Sequence, residues 1–417
     1  MRRVRKDFRD PMQNIIIEKP YRFVPPHRGT RWPAFIQKFN LYGKYLQHFE
    51  GVKSYEVRNA DRLKKSLDAK HGILLAPNHC RMSDPLVLGF LAKEVDCNLY
   101  SMASWHLFNQ GWFKAWAIRV MGGFSIYREG VDRKSLATAV DAMVDADRPL
   151  VVFPEGSTTR TNDFIHPLLD GVAFVARSAA KRRIKEGRGD TVIHPIGIKY
   201  VFQGDIDATV RPVLHEIEQR LGWRTSEELR LLERVERMGE GLFCLEEIRY
   251  SGRAYSGDDM ATRTARLIDC ILHPLEKEWL RVESTGNILP RIKALRSRML
   301  PDMIEGKLSP EERSRRWMQL EDIYVAQQIS CYIPNYLRDF PSIDRLLETV
   351  ERYEEDLKDT TTVHGTLKVI IDVDEPILVT DERRPKGDED PLMTELKNRL
   401  QAKMTHLSKA SKIYGSE

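Results

Sequence analysis

Residues 72–90 read GILLAPNHCRMSDPLVLGF, and this stretch decides the fold. Gly72–Pro77 is an apolar run of strand length, and Pro85–Glu94 has the length and apolar content of a helix. A short, wholly apolar strand feeding a helix through a polar turn predicts a buried strand of an α/β layer. The alternation continues on the C-terminal side. Strands are predicted at Asn98–Ala103, Phe124–Arg128, Leu150–Pro154 and Val192–Tyr200, with helices at Arg133–Ala146 and Gly171–Arg183. The expected class is α/β, a mainly parallel sheet flanked by helices.

Beyond this core the texture changes. Residues 203–362 carry charged helical pattern, with helices predicted at Glu227–Met238, Asp258–Leu280 and Pro310–Gln328. Their many Glu and Arg positions read as solvated faces. Strand chemistry returns at Leu367–Val373 and Pro376–Thr380, and Pro391–Ser408 reads as an amphipathic helix. The predicted organisation is a basic, aromatic arm with an amphipathic helix at 1–50 and an α/β core at 51–202. A helical insertion follows at 203–362, and the final strands and helix return to the core at 363–417. Two consecutive domains with a small tail are the alternative.

Composition narrows the function classes. Of 417 residues, 41% are hydrophobic and 30% charged, which fits a globular chain with a sizeable core. The formal net charge of +5 does not by itself argue for a nucleic-acid partner. No stretch is long and apolar enough to span a bilayer; Trp112–Phe124 is short and carries Lys114 and Arg119. Arg2, Arg3, Arg5, Lys6 and Arg9 precede no signal-like apolar run. Cys80, Cys97, Cys244, Cys270 and Cys331 are scattered and show neither metal-ligand spacing nor a disulfide framework. A reducing, cytoplasmic setting is expected, with no metal.

Loops after strand ends in α/β sheets are where ligands bind. In the first such loop His79 and Asp84 stand five residues apart, so a carboxylate can bond one imidazole nitrogen and leave the other as a base. Asp84 before Pro85 reads equally as a helix N-cap with proline at N1. The second loop, Phe153–Arg160, offers Glu155, Gly156, Ser157 and Arg160. These suit a phosphate or oxyanion, or only a polar turn. Arg128 ends a predicted strand, and Pro195 lies in another, Val192–Tyr200. Trp105, Phe108, Trp112 and Trp116 fall at helical spacing and read either as a membrane-interface stripe or as core.

Taken in order, these segments resemble the glycerolipid acyltransferase superfamily over about residues 70–202. Asn78-His79 to Asp84 matches the family's His-x4-Asp block, and Arg128 falls where its second block has arginine. Phe153-Pro154-Glu155-Gly156 matches the third block, and Pro195 the proline of the fourth. Thr158 stands where many relatives have an arginine; the first arginine here is Arg160. The resemblance implies acyl transfer from acyl-CoA or acyl carrier protein to a hydroxyl of a lysophosphatidate-like acceptor, or of glycerol 3-phosphate or another lysolipid. His79 would be the base and Asp84 its orienter. Arg128 and Arg160 would hold the phosphate, Glu155 would position the acceptor or brace an arginine, and donors near Gly156 would meet the oxyanion. No cofactor beyond the acyl co-substrate is implied, and the chain is expected at the inner face of a membrane as a peripheral protein. A non-catalytic lipid or acyl-carrier binding protein on this scaffold is the other reading. A serine hydrolase would need a Gly-x-Ser-x-Gly elbow near these strands, and none is there.

Overall fold

The computed structural model describes residues 16–358, 362–382 and 390–415; the basic residues predicted as an arm at positions 2–9 lie outside them. Among the described residues, the strands are β1 (Val52–Arg58), β2 (Gly72–Pro77), β3 (Tyr100–Ser104), β4 (Gly123–Ile126), β5 (Leu150–Val151), β6 (Thr191–Phe202), β7 (Leu367–Val373) and β8 (Ile377–Leu378). They form one sheet in the order β1-β7-β6-β2-β5-β3-β4, with β8 also on β6. β7 and β8 run antiparallel to β6, and the other pairs are parallel. The class is therefore α/β with a mostly parallel sheet flanked by helices.

All six residues of β2 are buried, as a central strand covered on both faces requires. β1 was not among the predicted strands. It is an edge strand, mostly exposed or half-buried, so its sequence VKSYEVR lacks an apolar run. Proline in the long β6 finds the one tolerable kind of place. The Pro195 carbonyl accepts from Asp374 N–H at 2.9 Å, so the ring nitrogen faces the same flank. There the neighbour changes from β8, at Ile193, to β7, at Ile196, and no ladder donor is needed.

The described residues form two compact units. The α/β unit holds Phe23–Ile126, Asp132–Asp205 and the described part of Val363–Glu417. Its helices are α1 (Arg31–Lys38), α2 (Leu41–Phe49), α3 (Ala60–Asp68), α4 (Asp84–Glu94), α5 (Trp112–Val120), α6 (Arg133–Asp145), α7 (Gly171–Lys185) and, at the end, Pro391–Ser408. Its core packs Leu74, Phe124, Met143, Val172, Ile193 and Leu396 together.

The predicted aromatic stripe is divided. Trp105 and Phe108 lie on a short 3-10 helix, Trp105–Asn109, and are buried. Gly111 at φ 111° breaks the chain, and α5 then presents Trp112 and Trp116 to solvent.

The helical unit holds Tyr127–Val131 and the described parts of Ile206–Thr362 and Met1–Arg22. Its long helices include Ile206–Arg220, Leu231–Ser251, Met260–Trp279, Ile288–Ile304, Pro310–Ile329 and Ile343–Lys358. Its charged positions are not all solvated. Arg234 pairs with Glu218 at 2.8 Å, Arg263 with Glu247 at 2.7 Å and Arg291 with Glu276 at 2.8 Å, and both partners of each pair are buried. Planar guanidinium forks suit such buried, bidentate pairing.

Candidate active site

β2 and β5 are parallel neighbours, with Leu74 opposite Leu150 and Leu75 opposite Val151. Their C-terminal ends therefore emerge side by side. The loop Asn78–Ser83 and the loop Phe153–Arg160 meet there, and backbone and side-chain bonds tie them together. Glu155 Oε1 accepts His79 N–H at 2.8 Å, while Thr159 gives its N–H at 2.9 Å and its hydroxyl at 3.2 Å to the His79 carbonyl. Asn78 extends the adjoining ladder: its side-chain amide accepts from Ile198 N–H at 2.7 Å and donates to Ile198 O at 3.0 Å.

His79 and Asp84 come together. His79 Nδ1 lies 2.9 Å from Asp84 Oδ2, and the carboxylate is fully buried at the start of α4. Three further contacts fix that carboxylate. Arg81 N–H donates to Oδ2 at 2.9 Å, Tyr200 OH donates to Oδ1 at 2.7 Å, and the Cys80 thiol lies 3.9 Å from Oδ1. Burial and the neighbouring Asp84 charge hold the Tyr200 phenol well above its usual pKa, so it remains a donor. With Nδ1 engaged, the free edge of the imidazole is Nε2. Thr158 Oγ1 is 3.4 Å from it, and the ring stacks on Phe153 at 4.1 Å between centroids. The His79 side chain keeps 12% of its surface exposed, so the ring is accessible.

Glu155 sits behind the loops. Its second oxygen accepts His166 N–H at 3.0 Å. Burial pushes this carboxyl from 4.5 up to about 8, against the pull of its two backbone donors. It is a brace between loops. A glutamine here offers one oxygen to two buried N–H groups. Glu155→Gln is expected to cost about 1–3 kcal/mol in chemical denaturation. The raised pKa also has a sign. The folded state keeps a proton that the unfolded chain sheds, so this group's contribution falls as pH rises from 4.5 to about 8 and is flat above it. The stability gap between wild type and Glu155→Gln should therefore narrow between pH 5.5 and pH 8.5.

The other predicted residues are placed as follows. Gly156 has φ 71°, and a Cβ would meet Leu169 Cδ1 at 2.3 Å, so only glycine fits this turn. Its N–H donates to Phe153 O at 3.2 Å and is therefore engaged within the turn. Ser157 is half-buried on the same loop, and Arg160 sits at φ 56°. Pro195 belongs to the buried body of β6, and its neighbour His194 is a satisfied core histidine, bonded to Ser66 Oγ and Asp374 O at 2.9 Å each. Arg128 is exposed on Tyr127–Val131, a segment of the helical unit. Sequence reading missed Tyr200, Phe153 and Arg81. Arg81 stood inside the quoted motif, and Tyr200 was the polar tip of a buried run.

Comparison with known proteins follows this geometry. Residues 54–199 match the family model described as Acyltransferase. A curated relative from Streptococcus pneumoniae, named 1-acyl-sn-glycerol-3-phosphate acyltransferase, is 33% identical over 110 residues. The match covers 26% of this chain and 38% of that relative. The matched span runs from β1 into β6 and carries both stitched loops, so the α/β unit of this chain holds an acyltransferase domain of the glycerolipid acyltransferase superfamily.

Proposed function

We propose that the protein transfers a fatty acyl group from a thioester, acyl-CoA or acyl carrier protein, to the hydroxyl of a lysophosphatidate-like acceptor. The observation that carries this reading is the buried Asp84 bonded to His79 Nδ1, with Nε2 left on the accessible side beside Thr158. His79 Nε2 takes the acceptor's hydroxyl proton as that oxygen attacks the thioester carbonyl. Asp84 holds the tautomer and stabilises the imidazolium. The tetrahedral intermediate then expels the thiolate, the C–S bond breaks, and the imidazolium proton passes to sulfur. Products are an ester and a free thiol, and no covalent enzyme intermediate is needed. Cys80 is 2% exposed and bonded among Asp84, Asn162 and Ile198, which suits packing rather than attack. Thiol release from acyl-CoA, measured with lysophosphatidate, glycerol 3-phosphate and other lysolipids in turn, tests the activity and ranks the acceptors.

Such substrates reside in membranes, and one face of the α/β unit suits a membrane surface. No helix among the described residues is long and apolar enough to cross a membrane. Instead α1, α2 and α5 expose aromatic side chains, in contact between α1 and α5 and within α2. Trp32 meets Trp116 at 5.2 Å and Phe35 at 6.0 Å, Phe113 meets Trp116 at 5.8 Å, and Tyr45 meets Phe49 at 4.9 Å. Trp112 is 81% and Phe113 62% exposed. These helices carry Arg31, Lys38, Lys44, Lys114 and Arg119 and no Asp or Glu. Aromatic and basic residues together favour an anionic interface. Replacing Trp112 and Phe113 by alanine is expected to weaken sedimentation with phosphatidylglycerol vesicles by about tenfold or more. Unchanged binding would remove this face from the account.

A further inference from the structure

We infer that Tyr200 is the positioning residue of the site: its hydroxyl locks the plane of the Asp84 carboxylate and so aims His79. The inference rests on the acyltransferase reading and adds to it a third member of the base assembly.

The mount for Tyr200 is a strand that outruns its neighbour. The last β6 residue paired with β2 is Ile196, opposite Pro77, yet β6 continues to Phe202. On its other edge β7 stays paired as far as Phe202. On the edge that β2 leaves open, two side-chain amides stand in for a strand. Asn78 bonds both backbone groups of Ile198. Asn162 does the same for Tyr200, accepting from its N–H at 3.0 Å and donating to its carbonyl at 2.6 Å. Buried backbone groups need such partners. The overhang is thus held on both edges. The Tyr200 ring it carries is 1% exposed, with the Arg81 guanidinium 5.2 Å from its centroid.

From this mount the Tyr200 hydroxyl donates to Asp84 Oδ1 at 2.7 Å. Having given its proton there, the phenol oxygen accepts from Ser83 Oγ at 3.3 Å, a relay that strengthens it as a donor. The two carboxylate oxygens divide their partners. Oδ2 takes His79 Nδ1 and Arg81 N–H, at 2.9 Å each. Oδ1 takes Tyr200, with the Cys80 thiol a weak donor 3.9 Å away. A carboxylate turns about a broad, roughly two-fold torsion, so bonds to one oxygen alone do not set its plane. A short bond to the other oxygen does. Tilting that plane bends the Nδ1–H bond to Oδ2, and Nε2 swings off the line to the acceptor's hydroxyl. Tyr200 therefore acts through Asp84 and not on the substrates.

Tyr200→Phe removes one oxygen from a fully packed ring. With acyl-CoA and lysophosphatidate, kcat is expected to fall about tenfold, both KM values staying within about twofold of wild type. In the Asp84→Ala background the same change should cost less than about twofold, because no carboxylate is left to aim. A tenfold cost in both backgrounds would make Tyr200 a packing residue and overturn the proposal, as would full kcat in Tyr200→Phe. Tyr100→Phe is the control, since it deletes another phenol–carboxylate bond, to Asp147 at 2.9 Å. It should keep the wild-type kcat; an equal fall there would mean that kcat follows stability, and would also overturn the proposal. Proton NMR of the full chain gives a readout without turnover. A low-field Nδ1 proton resonance, missing from His79→Gln, is expected in wild type and lost to exchange broadening in Tyr200→Phe. An unaltered resonance in Tyr200→Phe overturns the proposal, as does its absence from wild type. If the resonance behaves as expected but wild type releases no thiol with any acceptor, the acyltransferase reading alone falls.

Discussion

Asp84→Ala is expected to lower acyl transfer by about 10⁴-fold at saturating substrate, with little change in acceptor KM. The carboxylate has four neighbours in the site: His79, Arg81 N–H, Tyr200 OH and the Cys80 thiol. Without it the imidazole loses both its tautomer and its orientation, and the base is no longer aimed. Asp84→Asn should fall less, about 10²-fold. Its amide can turn so that oxygen still faces His79 and Arg81, while its NH2 faces Tyr200, whose hydroxyl is 3.3 Å from Ser83 Oγ. The geometry survives, and only the charge opposite the imidazolium is lost. Equal activities for the two variants would mean that Asp84 acts by charge alone. Wild-type activity in either would remove it from the mechanism.

The largest expected loss of stability lies elsewhere in the same unit. Lys199 Nζ meets Asp163 Oδ1 at 2.6 Å, with side-chain exposures of 0% and 1%. Asp163 also ties its backbone carbonyl to Gln401 of the final helix at 3.2 Å. A buried ammonium that loses a carboxylate partner gives up the charge that offset its desolvation. Asp163→Ala is expected to cost about 3–5 kcal/mol, read as a lower denaturant midpoint. Lys199→Met combined with Asp163→Leu should recover most of that loss, because a well-packed apolar pair avoids the desolvation altogether. If the double variant is no better than the single, the pair is not the source of the loss.

The strands were legible where burial on both faces forced apolar runs. GILLAP became β2 unchanged, and LKVIIDV became β7. β1 was hidden because an edge strand has no such demand. The strand predicted at Phe124–Arg128 ends in the structure at Ile126, and its last two residues pass to the helical unit. The pairing of His79 with Asp84 was readable because a five-residue turn into a helix that starts at Asp84 fixes both ends locally. Tyr200 was not readable. It reaches Asp84 from a strand more than a hundred residues away, and only sheet order brings it there. In the helical unit the Arg and Glu positions looked like solvent-facing charge. Several are internal ion pairs, whose partners lie on different helices and cannot be matched by period alone.

The most direct measurement is thiol release from acyl-CoA by wild type and His79→Gln, with and without lysophosphatidate. The account predicts acceptor-dependent release in wild type and a loss of about 10³-fold or more in the variant, with lysolipid binding retained. Release by His79→Gln at a rate near that of wild type would contradict it.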